Sequence, residues 1–422
     1  MKETYPSLSL QERDRRWKLV REFMKTRELE CVILAGLNSP QEHERYLAND
    51  RQHGIVVFPL EGEPIYLVRS NMYVVANIEN LRRGDTSWID DWRGGATGEV
   101  LVRVLKEKGF DSASIGVVGL KGLDIILEPE GWIPYALWAY VLDSLPNATF
   151  SDITRPFIDM VLVKGEEELR LVRQAAHIGE AACEVMLRVT KPGVSESDIY
   201  FAIMQAIQDN GGSAPLGLII HSGKENPSWG NPRWLTKGER PRTVQKGEHV
   251  LVEMFPTYGG LQTQQQMTAA LQPIDPMVEQ LAQAAKRSNE IGLKMLRPGN
   301  SFEEVCDAME EPIAEAGFWH LTPLIHSINP LHLISQRQVG MIDNLPGIDH
   351  INPEHWQKGE YKGIRARPIT GGDTEIQAGM CFAMEPNACR GKQRVNIGGS
   401  VIVTDHGVEN LNKLATEMRI AD

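Results

Sequence analysis

A carboxylate, Glu253, lies within an apolar run that begins at Val250 and reads VLVEMF. A carboxylate in a dry, partly neutralised pocket can act as a nucleophile, or as a general base that activates water. Either role depends on burial and on the neighbouring groups, because these set the pKa of the carboxyl. Glu253 is therefore a candidate nucleophile or general base.

Other polar side chains extend this candidate site. Gln264 and Gln266 follow in QTQQQM and can orient polar groups by hydrogen bonds. Glu385, in AMEP, is a second carboxylate, which can pair with a cation or donate a proton, and Arg337 is a cationic side chain, which can pair with an anionic group. Burying charged or amide side chains is costly unless they pair with one another or with a ligand. Their presence therefore favours a functional site over a segment that only fills the protein core.

Histidine and aromatic residues each allow a functional and a structural interpretation. His326, His332 and His221 could shuttle protons, although a lone histidine is more often a hydrogen-bonded structural residue. Trp229 could cover a cation or ring, or anchor a loop on apolar surface. Tyr258, beside a Gly-Gly turn, could donate to an oxyanion or be a hairpin residue.

Composition limits the class of partner. The chain has 422 residues, of which 42% are hydrophobic, and a formal net charge of -12. These values predict a globular protein of two domains and argue against nucleic acid as a partner. No apolar run of about 18 residues and no signal-peptide pattern is present, which predicts a soluble, cytoplasmic protein without a membrane partner. The cysteines form no CxxC pair, so no zinc site is indicated.

The first part of the chain has the pattern of an α/β domain, which we place at residues 1–155. Ser9 and Glu12 have capping-box spacing at the start of an amphipathic helix. Strand-like runs such as CVILAG and HGIVVFP then alternate with helical stretches such as GEVLVRVLKEKG. This alternation predicts a largely buried sheet covered by helices.

An internal repeat organises the second part, residues 156–422. KPGVSESDI at Lys191 and RPGNSFEEV at Arg297 each follow a long helix, and each starts another helix through a Ser cap. Their prolines lie at 192 and 298, a difference of 106 residues. The repeat suggests a pseudo-two-fold α/β domain with a site between its halves, although the phrase is also a common helix start.

The whole chain resembles the creatinase, aminopeptidase P, prolidase and methionine aminopeptidase superfamily. The resemblance lies in the order of the phrases MVLVKGEEELRLVRQAA, PGVSESDI, GEHVLVEMFPTYGG, RPGNSFEEV and AGMCFAMEP with VIVTDHGVENL. It implies an N-terminal α/β creatinase-like domain followed by a C-terminal pita-bread domain. It also implies assembly into a homodimer.

The metallopeptidases of this superfamily hold two metal ions with two Asp, one His and two Glu. The positions that the resemblance assigns to these ligands are occupied, in chain order, by Glu253, Gln264, Arg337, Glu385 and Gly398. Two carboxylates and one guanidinium do not balance two dications, and an arginine stays protonated and is not a metal ligand. The resemblance therefore implies a chain without a metal ion or other cofactor.

Creatinases are metal-free members, and the resemblance to them implies roles for particular residues. Arg337 would grip the carboxylate of the substrate, Glu385 would contact its cationic end, and His326 lies in a matching segment. Arg51 would reach from the N-terminal domain into the site of the partner subunit. However, a glycine, Gly230, stands where the general-base histidine is expected, which argues against creatine as the substrate.

Ectoine hydrolases, also metal-free, resemble this chain in placing a glutamate at the position of Glu253. We therefore expect a metal-independent hydrolase that cleaves an amide, amidine or ureido C–N bond of a small nitrogenous carboxylate. Three alternatives stay open: a lyase similar to the dimethylsulfoniopropionate lyase of the superfamily, a metal-dependent Xaa-Pro peptidase, and a non-catalytic small-molecule-binding protein. The residues do not identify the substrate.

Overall fold

The computed structural model describes residues 5–125, 127–225, 230–336 and 369–421. The chain divides into two compact units, Ser7–Leu162 and Val163–Asp422, the second of which also includes Met1–Pro6. This division lies seven residues beyond residue 155, where the sequence placed it. None of the helices in the described ranges is long and apolar enough to cross a membrane.

The first unit consists of a mixed sheet with helices packed on it. Its elements in chain order are α1 (Leu10–Thr26), β1 (Cys31–Ala35), α2 (Arg45–Ala48), β2 (Ile55–Pro59), β3 (Ile65–Val68), α3 (Asn71–Arg82), β4 (Asp91–Gly94), α4 (Gly98–Glu107), β5 (Ser114–Val118), α5 (Tyr135–Ser144), β6 (Thr149–Asp152) and α6 (Thr154–Met160). The strands lie in the order β4-β3-β2-β1-β5-β6, with β1 antiparallel to β2 and parallel to β5.

Both faces of this sheet are covered at its inner strands, which explains why β1, β2, β3 and β5 are largely apolar, whereas β4 and β6 at the edges are more polar. Alternate residues of β1, β2, β3 and β5 share a core with α4 and α5. On α1, the ring of Trp17 packs edge-on against Phe58 of β2, with ring centroids 5.7 Å apart. Ser9 accepts a hydrogen bond from the main-chain N–H of Glu12 and so begins α1 at the predicted place.

The second unit follows a different order of elements. These are α7 (Glu166–Val189), α8 (Glu196–Asp209), β7 (Leu218–Gly223), α9 (Arg233–Lys237), β8 (His249–Met254), β9 (Thr257–Tyr258), β10 (Leu261–Gln262), β11 (Gln265–Leu271), α10 (Pro276–Met295), α11 (Phe302–Glu315), β12 (Ile325–Ser327), β13 (Cys381–Met384), β14 (Asn387–Arg390), β15 (Gln393–Asn396), β16 (Ser400–Thr404), β17 (Gly407–Asn410), a 3-10 turn (Leu414–Thr416) and β18 (Arg419–Ala421).

The predicted pseudo-two-fold repeat is confirmed in this unit. In each half a long helix, a Pro-Gly turn and a second helix lead into antiparallel strands: α7 and α8 precede β7, β8 and β11, and α10 and α11 precede β12, β13 and β16. Ser195 and Ser301 cap the second helix of each half, and each forms a capping box, with Asp198 and Glu304 respectively. The resulting sheets have the strand orders β18-β11-β8-β7 and β12-β13-β16-β17.

Each sheet has an apolar face on its own helices and a more polar face toward the other half. Val252, Met254 and Met267 lie in a core with residues of α7 and α8, whereas Glu253 and Gln266, one position along, share the opposite face. In the other sheet Phe382 of β13 stacks on Phe302 of α11, with ring centroids 5.8 Å apart.

Main-chain and hydroxyl groups join the two sheets along a seam, which we define as the contacts Gln264–Ser400 and Gln266–Gly398. The N–H of Gln264 donates to Ser400 Oγ at 2.9 Å, and the Ser400 hydroxyl donates back to the Gln264 carbonyl at 3.1 Å. Two residues on, the N–H of Gln266 donates to the Gly398 carbonyl at 2.8 Å. The seam fixes the start of β11 against the start of β16.

Replacement of Ser400 by alanine tests the importance of this seam. The Ser400→Ala change removes two hydrogen bonds and leaves two buried main-chain groups of Gln264 without these partners. We expect the free energy of unfolding, measured by urea denaturation, to fall by about 2–4 kcal/mol. Ser288→Ala is the control, because the buried Ser288 hydroxyl makes one bond, to the Met309 carbonyl. A loss for Ser400→Ala no larger than that for Ser288→Ala would contradict the expectation.

Candidate functional site

The candidate site forms where one side-chain amide lies between two buried carboxylates. Gln264 Nε2 donates to Glu253 Oε1 at 2.9 Å and lies 3.4 Å from Glu385 Oε2. Glu253 belongs to β8 and Glu385 directly follows β13, so the two repeats contribute one carboxylate each. All three side chains are buried. The structure thus brings together three of the residues that the sequence singled out.

Strand register explains how these side chains meet. Glu253 lies opposite Gln266 on β11 and opposite Ile219 on β7, so all three residues share one face of the sheet. The Oε1 atom of Gln266 accepts a hydrogen bond from Asn396 Nδ2 at 3.1 Å, which orients its amide. Burial of this polar face requires such internal pairing.

His326 lies next to Glu385 and has a defined tautomer. Its Nδ1 contacts the Ser327 carbonyl at 2.9 Å, and because a carbonyl only accepts, the hydrogen-bond network assigns a hydrogen to Nδ1. Nε2 then faces Glu385 Oε2 at 3.2 Å, away from the ideal hydrogen-bond direction. The imidazole nitrogen and the carboxylate oxygen therefore lie close together without a well-aligned hydrogen bond between them.

His332 packs against His326 as a neutral ring. The ring centroids are 3.8 Å apart and the planes are tilted by 30°. Burial, and secondly the nearby imidazole of His326, hold the pKa of His332 well below its usual value. Its φ of 60° lies in the left-handed region, which a non-glycine residue adopts at a cost of order 1–3 kcal/mol. Strain of this kind clusters at functional sites.

Several buried polar atoms of the site have no hydrogen-bond partner among the described residues. They are the acceptors Gln264 Oε1 and Glu385 Oε1, and the donor Gln266 Nε2. A buried polar atom without a partner costs about 1–3 kcal/mol, so these atoms call for a ligand or water. A molecule that satisfies all three must present hydrogen-bond donors to the two oxygens and an acceptor to the nitrogen.

Gly398 is held where no side chain fits. Its φ is +136°, and a Cβ at this position would lie 1.9 Å from the carbonyl oxygen of Met384. This is the position at which the resemblance places the second metal-binding glutamate. Within the described ranges, moreover, no group of three or more His, Cys, Asp or Glu side chains is arranged to hold a metal ion.

Two further candidates have other hydrogen-bond partners. His221 of β7 shares the sheet face of Glu253, but its Nε2 contacts the Gly230 carbonyl at 3.0 Å, and burial lowers the pKa of its imidazole. The Tyr258 hydroxyl donates to the Pro6 carbonyl at 3.2 Å, and burial raises its pKa. Their roles in binding a substrate stay predictions.

The roles of three further candidates stay predictions. Arg51 lies in the first unit, where its half-exposed guanidinium pairs with Glu42; its contact with a partner subunit stays a prediction. Arg337 and Trp229 lie outside the described residues. The carboxylate clamp and the aromatic contact assigned to them are therefore predictions as well.

Residues that were not expected in the site support the glutamines. Ser400 holds the main chain of Gln264, and Asn396 holds the side chain of Gln266. Thr268, two positions further along β11, donates to the Asn396 carbonyl at 2.7 Å. The sequence offers only a weak signal for these supporting residues, because the run QTQQQMT is polar at nearly every position and does not show which residues share a strand face.

Two glycines with similar backbones separate steric from conformational effects at the site. Gly398→Ala should lower the free energy of unfolding by more than about 3 kcal/mol, because the new methyl group meets the Met384 carbonyl. Gly407 has a φ of +144° and nothing within 4 Å of its Cβ position. Gly407→Ala should therefore cost clearly less in denaturant titrations, and equal losses would argue against the close contact at Gly398.

The neutral His332 predicts a pH dependence of stability. Its pKa in the folded state lies below the unfolded value of about 6.5, so the unfolded chain gains the proton first and stability is lost as the pH falls below that value. His332→Asn keeps a residue that tolerates positive φ. It should reduce the loss of unfolding free energy between pH 7 and pH 5 by about 2 kcal/mol. His177→Asn, on an exposed helical position, should leave this loss unchanged.

Comparison with known proteins shows relatives of two kinds. Over 354 residues the chain is 26% identical to a probable dipeptidase PepE of Mycobacterium bovis, and the matched region covers 77% of this chain and 82% of that protein. It is 21% identical over 427 residues to a creatinase of Bacillus sp. (strain B-0618), covering 97% and 92% respectively. These relatives are similar to the chain and differ from each other in activity.

Solved structures and a family model identify the fold. An X-Pro aminopeptidase from Thermotoga maritima MSB8 superposes with a TM-score of 0.72 at 16% identity, covering 96% of this chain and 99% of that one. Dipeptidase PepE from Mycobacterium ulcerans gives 0.70 at 18% identity, covering 98% and 99%. The predicted pita-bread architecture is thereby confirmed. The model for metallopeptidase family M24 matches residues 170–405, more than half of the chain, and the chain therefore belongs to family M24.

Proposed function

We propose that this M24 hydrolase is metal-independent and cleaves a C–N bond, of amide, amidine or ureido type, in a small nitrogenous carboxylate. The observation that carries the proposal is the amide nitrogen of Gln264 between the carboxylates of Glu253 and Glu385. Two carboxylates that share one neutral amide donor favour a ligand with one end that is cationic or carries several N–H groups. The acceptors Gln264 Oε1 and Glu385 Oε1, without partners among the described residues, support the same class of ligand.

The geometry allows a division of roles in hydrolysis. Glu253 acts either as a base, taking a proton from water as the oxygen attacks the substrate carbon, or as a nucleophile that forms a covalent, anhydride-type intermediate with that carbon, which water then cleaves. A C–O bond forms, the C–N bond breaks, and the leaving nitrogen takes a proton. The His326–Glu385 pair, 3.2 Å apart, is placed to supply that proton. In both routes one water is consumed for each bond cleaved.

The carboxylate end of the substrate is assigned to arginine. Arg337 would bind it in bidentate fashion, and Arg51 of the partner subunit would assist in a homodimer. The support for these two assignments is the resemblance to creatinases alone. Binding of a carboxylate at one end and of a cation at the other would fix the scissile bond near Glu253.

The name of the family implies metal ions, and the residues present do not fit a metal pair. Where two dications are bound, about four carboxylate charges are normally supplied. Here Gln264 and Gly398 stand at two ligand positions, and Gly398 has no room for a side chain. We therefore assign no catalytic step to a metal.

A second candidate is a dipeptidase, favoured by the similarity to PepE of Mycobacterium bovis at 26% identity. A lyase and a non-catalytic binding protein are the further alternatives. Product analysis in heavy-oxygen water distinguishes the proposed hydrolase and a dipeptidase from a lyase, because hydrolysis incorporates solvent oxygen into the product. Metal analysis of protein purified without chelator separates a metal-dependent peptidase, which would carry stoichiometric metal.

A metabolite screen with active-site variants tests the proposal. The wild type is assayed with amide, amidine and ureido derivatives of small amino acids, and with Xaa-Pro dipeptides. For the substrate found, Glu253→Gln should lower kcat/KM by at least about a hundredfold, whereas Glu196→Gln should have little effect. Glu196 is a matched control because it is also buried, with its carboxylate bonded to Ser222 and Trp234.

Three results would contradict the proposal. The first is full activity of Glu253→Gln on that substrate, since the reacting carboxylate is then elsewhere. The second is turnover of dipeptides alone, with stoichiometric metal bound. The third is a product without solvent oxygen, which would identify a lyase.

A further inference from the structure

We propose that the side-chain amide of Gln264 stands in for a divalent cation between Glu253 and Glu385, and that the backbone at Gly398 closes the second cation position. Gln264 is then a positioning residue that keeps the site metal-free. The inference rests on the proposed metal-independent function and adds to it the atoms responsible. It also predicts that one substitution opens the site to a single metal ion.

The amide nitrogen of Gln264 lies where a cation would have to bind. Its two hydrogens are shared between carboxylates that belong to different repeats, at N–O distances of 2.9 and 3.4 Å. A bound divalent ion needs oxygen ligands at about 2.0–2.6 Å, so the same carboxylates cannot hold the amide and an ion at one point. Gln264 therefore excludes a cation by occupying its place.

Hydrogen bonds to Ser400 fix the main chain of Gln264. Its main chain exchanges two hydrogen bonds with the buried hydroxyl of Ser400, at 2.9 and 3.1 Å. The backbone around the amide is thus fixed by the opposite sheet. The side chain therefore starts from a fixed backbone, and its amide can leave the space between the two carboxylates only by giving up its hydrogen bonds to them.

Gly398 leaves no room for a ligand to a second ion. A side chain at this position would meet the Met384 carbonyl oxygen at 1.9 Å and its carbonyl carbon at 2.6 Å. The Gly398 carbonyl also accepts the seam bond from Gln266, at 2.8 Å. An acidic ligand cannot enter here without a new backbone path, so restoring an acid at residue 264 yields one ion and not two.

The donors for a single ion are already assembled. An acidic residue at 264 would join Glu253 and Glu385, and His326 Nε2 lies 3.2 Å from Glu385 Oε2 without a well-aligned hydrogen bond. Three carboxylates and an imidazole suit Mn²⁺ or Zn²⁺. With glutamine at 264, the same position offers only one amide oxygen.

The experiment measures metal in the full-length wild type and in Gln264→Asp and Gln264→Glu. Each protein is incubated with MnCl₂, dialysed and analysed for metal content, and Mn²⁺ is observed by electron paramagnetic resonance. We expect no stoichiometric Mn²⁺ in the wild type and about one ion per chain in at least one variant, with the spectrum of an isolated ion. Gln262→Glu, the same chemical change on neighbouring β10, should bind none.

The possible outcomes separate this inference from the proposed function. Stoichiometric metal in the wild type overturns both. A metal-free wild type with no metal in either Gln264 variant overturns the inference alone, and a spin-coupled pair of ions in a variant overturns the part assigned to Gly398. Circular dichroism with and without Mn²⁺ monitors folding. A variant that folds only with Mn²⁺ supports the inference, and failure of both to fold even with Mn²⁺ contradicts it.

Discussion

Two polar sheet faces meet inside this domain, and each must satisfy the hydrogen bonds of the other without help from solvent. Each sheet can bury its apolar face on its own pair of helices, as Val252 does on one side and Phe382 on the other. The opposite faces contain carboxylates and amides, which are stable in a dry environment only when paired. The seam and the amide of Gln264 provide much of that pairing.

The site departs from this requirement, because some of its buried polar atoms lack a hydrogen-bond partner within the described part of the chain. Fold stability requires that most buried groups be paired, yet atoms on Gln264, Gln266 and Glu385 have no partner among the described residues. A protein tolerates such atoms when the surrounding framework is rigid enough to maintain them for a ligand. The left-handed backbone of His332 beside His326 is a second local cost at the same place.

Much of the fold follows from local patterns in the sequence, whereas the contacts of the site do not. Ser195 and Ser301 begin helices because a hydroxyl satisfies free N–H groups wherever it occurs in the chain. Likewise, Glu253 can be singled out from the sequence because it is the one polar residue in the apolar run VLVEMF. The bond from Gln264 to Glu385, however, joins residues 121 positions apart, and no periodicity specifies such a pair.

The same distinction holds for residues assigned by resemblance. Arg51 was assigned to a partner's site, and its conformation here depends on a local ion pair with Glu42 that the resemblance did not include. Tyr258 was a candidate oxyanion donor because of its place beside a turn, while its hydroxyl contacts Pro6, which is distant in sequence. Residue identity can be inferred from a motif, but the direction of a side chain depends on its tertiary neighbours.

The backbone at Gly398 has a consequence for how this chain could change over evolutionary time. A lost ligand is ordinarily regained by one codon change, but here any side chain at 398 first meets the main chain of Met384. A variant that gained an acidic side chain at this position would be poorly folded before it gained any affinity for metal. Under the proposed metal-independent function, the backbone itself would therefore oppose a change toward two-metal chemistry.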